Sequence, residues 1–384
     1  MGGPLDFRMR TRIVSGTDSM HGLGRLASEL GGTRALLVTD RGIVEAGHAE
    51  RAAGSLRRAG LAVAEFAETR ENPTTRDVDA GRESADRFGP DLIVGLGGGS
   101  AMDCAKGINF VHSNGGRMSD YWGVGKAARP MLPMIGIPTT AGTGSEVQSF
   151  ALISDAETHV KMACGDEKAA FRVALLDPSL TLTQPPRVTA LTGLDAIAHA
   201  VESYVSTRRN AISTAFSVAA WRLLAGNLDG VLRNPTDIEA RSNMQLGACL
   251  AGLAIENAML GAAHALANPL TTHFGLPHGS AVAILLPHVV RHNGATRGAW
   301  YGELLAAGAA IPGMPDSKSA AGGLAAFLES LTRRAGLETR LASMIADRDA
   351  IPRLARDAAN QWTGKFNPRG MTEDDYRRLY ENAW

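Results

Sequence analysis

The chain has 384 residues, 45% of them hydrophobic and 20% charged, which is enough apolar material for a large core divided between two domains. Its 39 Lys and Arg balance 39 Asp and Glu, so there is no electrostatic footprint for nucleic acid or an anionic membrane, and the expected partners are small molecules or further copies of the chain. No uninterrupted apolar run reaches the roughly 18 residues of a membrane span. The stretch MGGPLDFRMRTRIVSG lacks the apolar core of a signal peptide, and the widely spaced Cys104, Cys164 and Cys249 form neither a disulfide framework nor a Cys-x-x-Cys metal site. A cytoplasmic protein with free buried thiols is the expectation.

In chain order, short apolar runs first alternate with helical periodicity. RALLVTD is followed by a helix through AERAAGSLRRAG, then LAVAEF, a helix through VDAGRESADRF, and DLIVGLG. Strand and crossover-helix units of this kind build a parallel sheet with helices on both faces. A second set of strands is expected at PMIGIPTT, SFALISD, HVKMA and VALLD. From TQPPRV onward nearly every segment has helical period, including SVAAWRLLAGNLDGVLR, QLGACLAGLAIENAML, GGLAAFLESLTRRAG and TEDDYRRLYENAW. The prolines at 185 and 186 set the expected boundary: an α/β domain over 1–185 and an all-α domain over 186–384.

Two strand-to-helix loops carry chemistry. DLIVGLGGGSAMDCAKG passes from a strand into a helix through Gly97, Gly98, Gly99 and Ser100. Glycines let backbone amides approach a ligand closely, and the helix N-terminus adds partial positive charge, a combination that suits a pyrophosphate. Alone, such a turn is equally compatible with plain chain reversal, since it is not the usual G-x-G-x-x-G fingerprint. The second loop, PTTAGTGSEV, adds Thr139, Thr140, Thr143 and Ser145 as hydroxyl donors, and two such loops at strand ends of one sheet mark where a dinucleotide would lie. Asp40, at the end of RALLVTD, is positioned to bond ribose hydroxyls and to repel a 2′-phosphate, which favours NAD over NADP.

In TGLDAIAHAVESY, Asp195 and His199 stand four residues apart on one helical face. By itself the pair reads as a structural contact. Yet five of the ten histidines fall between His264 and His292, and His264 sits in a run of Ala, Leu and Gly where a buried imidazole needs both nitrogens satisfied. One Asp with three His is a donor set suited to Fe²⁺ or Zn²⁺.

Taken together, GLGGGSAMDCAKG, PTTAGTGSEV, LLDPSLTLTQPP, TGLDAIAHAVESY, the interval from His264 to His278 and the late NPR at Asn367 to Arg369 resemble the iron-containing, group III alcohol dehydrogenase family. The resemblance runs from about residue 10 to the C-terminus. It implies a dehydroquinate synthase-like architecture, with a nucleotide-binding α/β domain, an all-α domain and an active site in the cleft between them. It implies one divalent metal, Fe²⁺ or Zn²⁺, on Asp195, His199, His264 and His278. It likewise implies NAD pyrophosphate against Gly98, Gly99 and Ser100, with Thr139, Thr140 and Thr143 near the phosphates and nicotinamide ribose. Lys161, Leu180 and Asn72 would complete the nucleotide site, Asp40 would face the adenosine ribose, and Phe150, Ile255 and Trp362 would line an apolar substrate pocket. Glu202 is expected to orient a neighbour or a ligand histidine.

One position departs from the family pattern. Many members have a proton-transferring histidine four residues after the third ligand, where this chain has Asn268. An amide cannot exchange a proton near neutral pH, so the proton is expected to leave through the cofactor ribose, water or a nearby residue; His273 is a candidate substitute, its other reading being a surface or capping histidine. The implied activity is an NAD-dependent, metal-assisted alcohol dehydrogenase or aldehyde reductase acting on a small alcohol or aldehyde, as a homodimer or larger homo-oligomer. Two other readings are a lyase similar to dehydroquinate synthase on the same fold, which the threonine-rich loop disfavours, and a non-catalytic NAD-binding protein, which the intact ligand set disfavours.

Overall fold

The structure is a computed structural model that describes residues 6–384. It divides into two compact units, Asp6–Gln184 and Pro185–Trp384. The first contains β1 (Arg12–Ser15), α1 (Leu23–Glu29), β2 (Arg34–Val38), α2 (Arg41–Glu45), α3 (His48–Arg58), β3 (Ala62–Phe66) and α4 (Thr75–Phe88). It continues with β4 (Leu92–Gly97), α5 (Gly99–Asn114), β5 (Gly123–Val124), β6 (Met134–Pro138), β7 (Phe150–Ser154), β8 (Lys161–Gly165) and β9 (Val173–Leu176).

Six of these strands form one sheet in the order β1-β9-β6-β4-β2-β3, with every pairing parallel. The central strands β4, β6 and β9 are buried along their whole length, as expected where helices cover both faces of a parallel sheet. One face packs Leu37, Val94, Ile135 and Leu175 against Leu23, Ala52 and Leu56. The other packs Leu36, Ile93 and Met134 against Met102, Ala105 and Ile108 of α5.

Two strands of the second expected set leave this sheet. β7 and β8 pair antiparallel, and with β5 they form a separate three-stranded sheet. β7 alternates half-buried and buried residues, so it needs cover on one face only. Cys104 and Cys164 are free and buried, and burial pushes both thiols up to about 12, so neither supplies a thiolate at neutral pH.

The second unit is helical: α6 (Pro186–Val205), α7 (Ala211–Arg233), α8 (Ile238–Ala258), α9 (Ala262–Phe274), α10 (His278–Ala307), α11 (Ala320–Arg334), α12 (Ile351–Ala359) and α13 (Glu373–Ala383). α6 is the central helix, packed against α7, α8 and α10, which explains why it is apolar nearly all round. Pro186 at its first position supplies the preset φ of a helix start. No single helix is long and apolar enough to cross a membrane among the described residues.

Candidate active site

The candidate nucleotide-binding features gather at the C-terminal ends of β2, β4 and β6, three adjacent strands of the parallel sheet. There, Asp40, Gly98, Ser100, Thr139 and Thr140 line one cleft of about 810 Å³. Gly97 turns the chain with φ 146°, a value that suits glycine, and Gly98 then precedes the 16-residue α5. A Cβ on Gly98 would meet only the Thr140 side chain, 3.5 Å away, whereas one on Gly99 would fall 2.6 Å from Thr143 Cγ2. The two loops therefore touch through residues that tolerate no extra atom at position 99. What remains is a cradle of backbone amides at a helix N-terminus, and it fits the pyrophosphate of a dinucleotide.

Asp40 has a structural task as well. Its Oδ1 accepts the Ile43 amide at 3.1 Å, capping α2, while the carboxylate also borders the cleft at the end of β2. Asn72, with φ 53°, donates its amide to Ser100 Oγ at 3.2 Å and accepts from Lys161 Nζ at 3.3 Å, so these three candidate residues form one chain. The Leu180 side chain is wholly enclosed in the sheet core, and its carbonyl accepts from the Thr183 hydroxyl, so only its main chain could meet a ligand. Phe150 lies at the start of β7, and its carbonyl accepts from Lys106 Nζ at 2.8 Å.

Behind the threonine loop sits a pair that sequence reasoning passed over. Lys106 on α5 is fully buried and donates to Ser145 carbonyl and Ser145 Oγ, at 2.7 and 2.8 Å, while Ser145 Oγ donates to Asp103 at 2.8 Å. Burial raises the Asp103 carboxyl above its ordinary value against the opposing pull of Lys106. An Asp and a Lys three residues apart in an otherwise apolar helix were the available signal.

In the helical unit, Asp195 and His199 project from one face of α6, His264 from the first turn of α9, and His278 from the first residue of α10. Three imidazole Nε2 atoms converge on one carboxylate: His199 lies 3.5 Å from Asp195 Oδ2, and His264 and His278 lie 3.4 and 3.7 Å from Oδ1. The His199 and His264 rings stack at 4.9 Å between centroids, and the His264 and His278 centroids are 5.3 Å apart. Asp195 Oδ1 and His264 Nε2 are buried yet lack a hydrogen bond of acceptable geometry. Buried polar atoms are rarely left so; Asp195, His199 and His264 offer ligand atoms all within 4.8 Å of one another, His278 lies 3.7 Å from the same carboxylate, and one oxygen with imidazole nitrogens is a donor set that a divalent Fe or Zn ion would satisfy.

The surroundings hold this arrangement. Glu202 Oε2 lies 2.5 Å from His264 Nδ1, and its two oxygens also accept the Gly261 and Ala263 amides at 3.1 and 2.7 Å, capping α9. Burial alone would lower the His264 pKa, but Glu202 and Asp195 lift it to about 9. Burial would raise Asp195, yet the three imidazoles hold its carboxyl far below the usual range. Gly279 lets α10 rest directly on the Leu191 carbonyl of α6, a contact any Cβ would block. Asn367 of the NPR run exchanges two amide bonds with Asn293, at 2.8 and 2.9 Å, and Arg369 donates to the His292 carbonyl, so this motif locks the late chain to α10.

The remaining predicted residues fall in different places. Ile255 is buried on α8, and Trp362 is 37% exposed with its ring edge-on to Phe366. Asn268 stands one turn after His264 and donates to Gln361 Oε1 at 3.0 Å. His273 is a correction: it lies nine residues from His264, about 13 Å along the helix, and bonds Asp357 on α12 at 2.6 Å. That contact gives it no place beside the cluster. Gln361 was not foreseen, because its position depends on an irregular turn with no sequence period.

A doubly wound nucleotide-binding unit joined in one chain to a helical unit bearing an Asp and three His defines a metal-dependent dehydrogenase. Residues 10–178 match the family described as iron-containing alcohol dehydrogenase, and residues 189–384 match the C-terminal region of the Fe-containing alcohol dehydrogenase family. The chain belongs to this family. It is similar to the NAD-dependent methanol dehydrogenase of Bacillus methanolicus, with 35% identity over 96% of this chain and 97% of that one. It is also similar to the 1,3-propanediol dehydrogenase of Klebsiella pneumoniae, with 34% identity over 96% of both chains. A crystal structure of 1,3-propanediol oxidoreductase superposes with a TM-score of 0.95 at 32% identity, covering 100% of both chains. The chain is thus an alcohol oxidoreductase, working as alcohol dehydrogenase or aldehyde reductase with a nicotinamide cofactor and a metal.

Proposed function

We propose that this enzyme moves a hydride between a small alcohol and NAD, with Asp195, His199, His264 and His278 holding one Fe²⁺ or Zn²⁺ ion. The observation that carries the reading is the convergence of three imidazole nitrogens on the Asp195 carboxylate, with buried donor atoms left unsatisfied. Bound there, the ion would supply Lewis-acid polarisation of the substrate oxygen.

The chain's own residues do the rest. The amides at Gly98, Gly99 and Ser100 bind the pyrophosphate, and Thr139, Thr140 and Thr143 flank the phosphates and the nicotinamide ribose. Asn72 and Lys161 brace Ser100 from the side. Asp40 accepts from the adenosine ribose hydroxyls and disfavours a 2′-phosphate by like charge, which is the basis for NAD over NADP. Glu202 fixes the His264 tautomer, keeping the proton on Nδ1 and turning Nε2 to the cluster. Phe150, Ile255 and Trp362 supply apolar wall for a short substrate. Asn268 carries no titratable proton, so the alcohol proton leaves by water or the cofactor ribose. The resemblance extends to a cytoplasmic homodimer or larger homo-oligomer, and sedimentation equilibrium measures the association.

The test is elemental analysis of protein purified without added metal, coupled to an NADH-forming assay with short alcohols before and after chelation. Near-stoichiometric Fe or Zn, with activity lost on chelation and restored by that metal, is the expected result. A metal-free protein of full activity would refute the ligand assignment.

A further inference from the structure

We infer that the helical unit carries a second binding site, built to hold a phosphoryl group among Arg291 of α10, Arg378 of α13 and Arg369 of the NPR run. It lies apart from the cluster at Asp195, because Arg291 stands 13 residues after His278, about 20 Å along α10. The inference does not rest on the dehydrogenase reading.

The three arginines border one cavity of about 500 Å³ within the helical unit. His288, Arg291 and His292 enter it from one face of α10, and Asp375, Arg378 and Asn382 enter it from one face of α13, both at helical spacing. Packed helices ordinarily meet through apolar side chains, yet these faces present arginine and histidine to each other. Three guanidinium groups so gathered repel one another unless an anion joins them.

The protein supplies only part of that anion. Arg378 pairs with Asp375 Oδ1 at 3.0 Å, and Arg291 pairs with Glu329 of α11 at 2.6 Å. The other Asp375 oxygen accepts the Thr372 amide and hydroxyl, at 2.9 and 2.7 Å, and so caps α13. Arg369 forms no ion pair among the described residues; one of its N–H groups donates to the His292 carbonyl at 3.0 Å. Because a guanidinium has five N–H donors, these bonds leave most of the donors of all three arginines for a ligand. His292 Nε2 is buried without a hydrogen-bond partner among the described residues. Burial, followed by the charge of Arg291 beside His288 and of Arg369 beside His292, holds both imidazoles below their ordinary value, against the pull of Glu329 and Asp375. Both rings are therefore neutral at neutral pH, and each has an N–H to offer an oxygen.

Donors that come from two helices and a turn approach from different sides. A phosphoryl group has three peripheral oxygens in a tetrahedral array and meets them, whereas a carboxylate presents two oxygens in one plane. The cavity is larger than a phosphate ion, so a phosphate monoester fits the same chemistry as the free ion.

The experiment titrates inorganic phosphate and glycerol 3-phosphate into the metal-loaded protein by isothermal calorimetry. Saturating NAD is present, and chloride keeps the ionic strength fixed. Wild type should bind at least one of the two saturably at one site per chain, and Arg369→Gln, Arg378→Gln and Arg291→Gln should each weaken it by about tenfold or more. Tighter binding of the ester identifies an organic phosphate as the ligand, and equal binding identifies the free ion. Arg369 also ties the late chain to α10, so Tm without ligand is recorded for each variant. Should Arg369→Gln fail to fold, the exposed Arg291 and Arg378 decide the matter. No saturable binding of either compound, or an affinity that survives the substitutions in folded protein, overturns the site.

Discussion

The Glu202 carboxylate grips His264 from behind, 2.5 Å from Nδ1, while accepting two backbone amides at the start of α9. One side chain thus fixes the tautomer of a candidate ligand and the first turn of its helix. Glu202→Ala should weaken metal retention by about 10- to 100-fold. Glu202→Gln, which keeps one acceptor, should fall between. Competition against a chromogenic chelator measures both, and an alanine variant that holds metal as tightly as wild type would show that the contact is incidental.

Removal of the ligand itself should be more severe. His264→Ala is expected to lose metal and turnover together, because the second unit then offers two imidazoles where three converge. Metal content near the wild-type level with normal activity would mean that the ion sits elsewhere.

Gly99→Ala tests the cradle. The new Cβ would lie 2.6 Å from Thr143 Cγ2, so the threonine loop must shift. NADH binding, followed by cofactor fluorescence, should weaken by about tenfold to a hundredfold. Adding Thr143→Ala should recover part of the loss, a non-additivity that a double-mutant cycle detects; strictly additive effects would separate the two loops.

Asp40→Ser retains a helix-capping oxygen but removes the charge. The ratio of kcat/KM with NADP to that with NAD should rise by about tenfold or more, since a like charge no longer faces the 2′-phosphate. An unchanged ratio assigns cofactor choice to another residue.

Asp77 caps α4 and pairs with Arg70 at 2.7 Å. Burial would raise its pKa, but Arg70 and Thr74 hold the carboxyl below its ordinary value. A depressed folded pKa adds stability that is present above the unfolded value, about 3.9, and lost as pH falls through the folded one. Asp77→Asn should therefore cost about 1 kcal/mol at neutral pH, and the gap should close as pH falls below the unfolded value of about 3.9. Urea denaturation at both pH values reads the difference; a constant gap would mean that the charge is irrelevant.

Much of this was legible because it depends on local rules. The strand and helix order follows from hydrophobic period, and the spacing of Asp195 and His199 places them on one face before any tertiary structure is known. Glu202 was read as orienting a helix neighbour or a ligand histidine, and its carboxylate meets the candidate ligand His264. Other features depend on packing that no period encodes. SFALISD and HVKMA have strand composition, yet their antiparallel pairing in a second sheet depends on which face finds cover. The Leu180 side chain points into the core, and His273 bonds Asp357 at the α9 and α12 contact. Lys106 and Gln361 act through partners distant in sequence, Ser145 and Asn268.

The contact between Gly279 and the Leu191 carbonyl bears on the candidate metal centre. His278 is positioned by main chain resting on main chain, next to the helix that bears Asp195 and His199, with no intervening side chain to be exchanged. A side chain of any size at position 279 would push the start of α10 away from α6, so the spacing between His278 and the Asp195–His199 pair depends on a residue that carries no chemistry of its own.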